Sequence, residues 1–111
     1  MKQPDAHQFL SSLGPIATEL DPDRQLLLYK TSGTDRIFAI IHDQTNPLII
    51  EARCDTQLAK LLRTKYESVL PSRNMNSKSW NKIICSGQLT DDEIQDLLRL
   101  SHDLSLADNS V

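Results

Sequence analysis

Apolar and polar positions alternate along the chain in two different periods, and the change of period divides it into elements. Phe9, Leu10 and Leu13 fall at i, i+1 and i+4, and Gly14-Pro15 then stops a helix, so residues 5–13 are expected to form a short one. Residues 16–24 read as a connector, with Asp21-Pro22-Asp23 as a turn. Three runs rich in Ile, Leu, Phe and Tyr follow, at 25–31, 36–42 and 48–53, each too short for a stable helix and suited to a strand. Ser32-Gly33-Thr34-Asp35 and Asp43-Gln44-Thr45-Asn46-Pro47 supply the turns between them. Ile37, Ala39 and Ile41 share one face of the middle run, and Phe38, Ile40 and His42 the other. A strand apolar on both faces is expected to be central.

At Cys54-Asp55-Thr56 the period lengthens. Asp55 suits a helix N-cap, because its carboxylate accepts the free N–H groups of the first turn. Leu58, Leu61, Leu62 and Tyr66 then fall at i, i+3, i+4 and i+8, the stripe of a helix facing a core. Residues 68–72 are expected to pair briefly as an edge strand before a polar loop over 73–79. Trp80 to Cys85 reads as a strand closed by Ser86-Gly87. Thr90 and Glu93 have the spacing of a capping box, and Asp91 and Asp92 add negative charge where a helix dipole favours it. Ile94, Leu97, Leu98, Ser101 and Leu104 form the inward stripe of the last helix, which is expected to fray after Ala107.

The order is thus α-β(3)-α-β(2)-α. Mostly sequential strands favour an antiparallel sheet, and one apolar stripe per helix favours two layers. The expected fold is α+β, a two-layer α/β sandwich. The 111 residues form a single domain without repeats or linker.

The longest apolar runs fall far short of the roughly 20 residues a membrane span needs, and Met1-Lys2-Gln3-Pro4-Asp5 begins no signal peptide, so the expected compartment is the cytoplasm, with no membrane role. Cys54 and Cys85 lie far apart and read as small buried hydrophobes in a reducing environment.

The net charge of −3 argues against a general nucleic-acid binder, but its distribution is uneven. Residues 56–89 hold Lys60, Arg63, Lys65, Arg73, Lys78 and Lys82 against Glu67 alone, whereas residues 90–111 hold one arginine against six acids. A basic middle is suited to an anionic partner.

Candidate chemistry is sparse. Gly14, Gly33 and Gly87 form no phosphate-binding loop or nucleophile elbow. His7, His42 and His102 have no metal-ligand spacing, and neither a metal nor a cofactor is expected. Asp55 beside Cys54 serves the helix cap and disfavours a thiolate. No enzyme activity is expected. The most unusual stretch is the loop with three asparagines, two lysines and the only tryptophan. Asn74, Asn76, Asn81, Lys78 and Lys82 supply donors for phosphate oxygens, and an indole such as Trp80 either stacks on a base or caps the core. With Lys60, Arg63 and Arg73 these residues make up the candidate nucleic-acid interface, of weak and salt-dependent affinity. The alternative is a protein-interaction adaptor with no nucleic-acid role.

The stretch Arg73-Asn74-Met75-Asn76-Ser77-Lys78-Ser79-Trp80-Asn81, followed by Gly87, Asp91-Asp92-Glu93-Ile94 and Ser101, resembles the MmcQ/YjbR family, which carries Met-Asn-Lys-x-His-Trp-Asn before a strand, an Asp-Gly turn and an acidic helix start. Cys54-Asp55 with the Leu58–Tyr66 helix, and Tyr29-Lys30 before the hairpin, are similar as well. The resemblance covers roughly residues 26–106. It implies a fold of the CyaY-like or secretion-chaperone-like kind and a double-wing DNA-binding role, without catalytic activity. Ser77 stands where the family has lysine, Ser79 where it has histidine, and Thr56 where it has proline.

Overall fold

A strand apolar on both faces needs cover on both, and the molecule supplies it in two ways. The computed structural model describes residues 1–107; the fraying expected after Ala107 lies outside the described residues. In chain order the elements are α1 (Gln3–Ser11), β1 (Ile16–Asp21), β2 (Leu26–Thr31), β3 (Ile37–His42), β4 (Ile49–Arg53), α2 (Thr56–Lys65), β5 (Val69–Pro71), β6 (Trp80–Ile84) and α3 (Asp91–Ala107). The strands form one antiparallel sheet in the order β1-β2-β3-β4-β6-β5, so β3 and β4 are central.

The three helices and the antiparallel sheet are those expected. The sheet has one strand more. Residues 16–21, read from the sequence as part of a connector, pair along their whole length with β2. Ile16, Thr18 and Leu20 lie at i, i+2 and i+4, on the face of Thr31, Tyr29 and Leu27. Strand pairing overrides the polar residues between them and the turn at Asp21, whose carboxylate accepts from the N–H groups of Asp23 and Arg24.

The helices cover one face. Ile41, Ile50, Ile83 and Val69 stand opposite one another across four strands and form one buried row. Ala6 and Leu10 of α1 and Ile94 and Leu98 of α3 close over this core. Ser101 ties α3 to both central strands: its Oγ–H donates to the Phe38 carbonyl at 2.5 Å, and its Oγ accepts the Arg53 N–H at 2.9 Å. The capping box forms as expected, with Glu93 Oε1 accepting the Thr90 N–H at 3.0 Å and Thr90 Oγ accepting the Glu93 N–H at 3.1 Å. Asp55 caps α2 through the N–H groups of Gln57 and Leu58.

The stripe of α2 differs from expectation. Ala59 is fully buried and Leu62 partly, while Leu61 is 60% exposed. This helix lies over β5 and β6 at the sheet margin. A helix resting on so narrow a floor buries a single line of side chains, and the small Ala59 permits the closest approach.

Candidate nucleic-acid interface

The second sheet face is covered by a loop rather than by a helix. Glu51 of β4 points to this face beside Ile40, its cross-strand partner on β3, and is 0% exposed. A carboxylate so buried needs donors for its lone pairs, and three side chains supply them. Ser72 Oγ–H donates to Oε1 in a short hydrogen bond, Asn74 Nδ2 donates to Oε2 at 2.6 Å, and His42 Nε2 lies 2.7 Å from the same oxygen. Burial pushes the Glu51 carboxyl up, but these hydrogen bonds outweigh it and hold the group below its ordinary value. Ser72 Oγ also accepts the N–H groups of Asn74 and Met75. The Arg73–Ser79 loop is therefore fastened at its start onto a charged point within the sheet.

Its far end is fastened as well. The Asn76 side chain accepts the Lys78 N–H, and its carbonyl accepts the N–H groups of Ser79 and Trp80. The Ser79 carbonyl accepts the Cys54 N–H at 2.8 Å, and the Ser77 carbonyl accepts Arg63 Nη1 at 2.7 Å. Arg63 thus joins α2 to the loop. Lys60 lies one turn before it on the same side of the helix, because residues i and i+3 are neighbours. Lys60 and Lys78 are exposed. The loop, β6 and the neighbouring ends of β3 and β4 line an open groove of about 350 Å³, whose lining includes Arg36, Arg53, Met75, Asn76, Ser79 and Trp80.

The expected site residues divide accordingly. Lys60, Arg63, Asn76 and Lys78 gather around the loop, and the exposed Arg73 begins it. Asn74 is turned inward onto Glu51, where its Oδ1 also accepts from Arg24 Nη1 at 3.3 Å. Trp80 is only 4% exposed and lies on the Glu51 face of the sheet against the loop, so it presents little of its ring for stacking. Asn81 is 2% exposed and points to the opposite sheet face, donating to the Ala59 carbonyl. Lys82 is half-buried across from Glu51. Strand alternation explains the last two, since Asn81 and Lys82 are consecutive and must face opposite ways.

Charge is polarised along α3. Its first turn carries Asp91, Asp92 and Glu93, and at its far end the Ser105 carbonyl accepts Arg36 Nη1 at 3.2 Å. The two ends lie about 20–25 Å apart at the usual rise per residue.

A family model described as YjbR matches residues 15–104. The chain belongs to the YjbR family. Among solved structures, this YjbR chain is similar to protein DR2400 of Deinococcus radiodurans, described as carrying a DUF419 domain, with a TM-score of 0.84 and 22% identity over 91% of this chain and 75% of that one. It is also similar to a protein from Pseudomonas syringae, with a TM-score of 0.81 and 19% identity over 95% of this chain and 99% of that one. No curated protein matches the sequence.

Two groove-lining residues of this YjbR chain, Arg36 and Arg53, lie outside the basic window visible in sequence. Their position at neighbouring ends of the two central strands is the signal that could have found them. Glu51 could have been found as the one charge in the run Leu48–Ala52, facing the same way as His42. Cys54 and Cys85 are free thiols, both pushed up by burial, Cys85 to about 11. Among the described residues no three His, Cys, Asp or Glu side chains group as metal ligands, and no helix is long and apolar enough to cross a membrane.

Proposed function

We propose that this YjbR chain is a non-enzymatic module that holds the phosphate backbone of DNA against the loop 73–79 and the adjoining face of α2. The observation that carries this reading is the 2.7 Å hydrogen bond from Arg63 to the Ser77 carbonyl. It brings the cations of a helix and those of a loop, separate in sequence, to one surface. Lys60, Arg63 and Lys78 then offer three positive groups, with Asn76 and Ser79 beside them as polar partners. Such contacts position a backbone without reading sequence. The burial of Trp80 removes base stacking from the account and leaves electrostatics as its main source of affinity. The non-enzymatic reading rests on the structural duties of the potential nucleophiles. Ser72 is saturated by three hydrogen bonds, and both thiols are disfavoured as thiolates.

The test is amide chemical-shift mapping with a short DNA duplex. The expected perturbations fall on residues 60–63 and 73–80. Perturbations confined to α1 or the start of α3, or none at low salt, overturn the reading in favour of a protein-interaction adaptor.

A further inference from the structure

The two edges of the sheet are built differently. β5 is three residues long, ends in Pro71 and is packed by α2, all devices that blunt an edge. The opposite edge, β1, is six residues long, has no proline and pairs with β2 without a bulge. The Ser32 N–H donates to the Pro15 carbonyl, which fixes the ladder parity: Ala17, Glu19 and Asp21 direct their N–H and C=O groups toward β2, and Ile16, Thr18 and Leu20 direct theirs outward. These three outward residues are centred on Thr18.

We propose that β1 pairs antiparallel with β1 of a second copy of this chain, about a two-fold axis through Thr18, so that the two sheets become one. A second copy fits because the strand is complementary to itself in this register. Thr18 faces Thr18 of the partner subunit, and Ile16 of each copy faces Leu20 of the other. Every outward N–H and C=O gains a partner, as an isologous interface requires. Leu20, 50% exposed in the single chain, is covered by an apolar side chain. On the other face, Glu19 of each copy falls opposite Ala17 of the other, so no like charges meet. Glu19 already pairs with Lys30 at 2.7 Å, and the two such pairs of a dimer lie on either side of the axis with alternating sign.

Sedimentation velocity of the full chain at micromolar to submillimolar concentration tests this. The expected species has twice the 12.6 kDa chain mass and dissociates on dilution. Thr18→Pro removes an outward N–H while sparing the hydrogen bonds to β2, and Leu20→Lys sets a charge against Ile16 of the partner subunit. Both are expected to weaken association at least tenfold while far-UV circular dichroism and the thermal midpoint of the monomer stay unchanged. A wild-type chain that remains monomeric throughout overturns the proposal. So does a dimer that survives both substitutions, because its interface then lies elsewhere.

Discussion

Asn74 Nδ2 lies 2.6 Å from Glu51 Oε2, and through this contact a polar loop is anchored to a carboxylate with no exposed surface. Glu51→Ala leaves Ser72, Asn74 and His42 without their acceptor. The expected cost is about 2–4 kcal/mol, the range for hydrogen bonds to a buried charge. Urea denaturation measures it. A loss of a few tenths of a kcal/mol would show that the loop stays in place without Glu51.

The hydrogen bonds of His42, Ser72 and Asn74 to Glu51 together fix the direction of a pH effect. The Glu51 carboxyl is held below its ordinary value in the folded chain. A group of this kind stabilises the fold fully above the unfolded-state value, about 4.3 for Glu, and loses that contribution as pH falls through the folded-state value. The stability gap between wild type and Glu51→Gln is therefore expected to be widest near neutral pH and to narrow in acid. Urea midpoints across that range check this, and a constant gap contradicts it.

Leu98 and Leu61 both lie mid-stripe in their helices as read from the sequence, yet the first is 0% and the second 60% exposed. Leu98→Ala is expected to cost about 2–5 kcal/mol. Leu61→Ala is expected to change stability by no more than about 0.5 kcal/mol. Equal costs would mean that α2 is rotated from the orientation described.

The contrast shows what the sequence reveals. Periodicity located α2, and Asp55 its start, but the period of a short helix does not say which of two adjacent residues meets the sheet. That depends on the floor beneath, here β5, β6 and the Asn81 side chain. The long α3 forms its capping box and buries Ile94, Leu98 and Ser101 as expected, but His102 and Ser105 complete the buried face and leave Leu97 and Leu104 half-buried at its margins. β1 was hidden because Ile16 and Leu20 are its only large apolar residues, with Thr18 between them, and because it runs straight into the turn-like Asp21-Pro22-Asp23. Its pairing partner, not its own composition, makes it a strand. At the candidate site the cations were legible from charge density. The inward turns of Asn74 and Asn81 were not, because they depend on a buried carboxylate and a helix carbonyl distant in sequence.

Asp55 accepts two N–H groups at the start of α2. Asp55→Ala is expected to cost about 0.5–2 kcal/mol, read from the thermal midpoint. Asp55→Asn should recover most of that loss, because an amide oxygen also caps. Failure of the asparagine to rescue would assign the effect to charge and not to the cap.

The most direct test of the proposed function is the salt dependence of DNA binding. Fluorescence anisotropy of a labelled duplex, titrated with wild-type chain at several salt concentrations, gives log K against log salt. Neutralising three phosphates through Lys60, Arg63 and Lys78 predicts a slope of about −3 and a dissociation constant of about 10⁻⁴–10⁻⁶ M. The Lys60→Glu, Lys78→Glu double variant is expected to bind more weakly to every sequence and to show a flatter slope. No binding by the wild type at low salt, or the same slope in the double variant, would contradict the account.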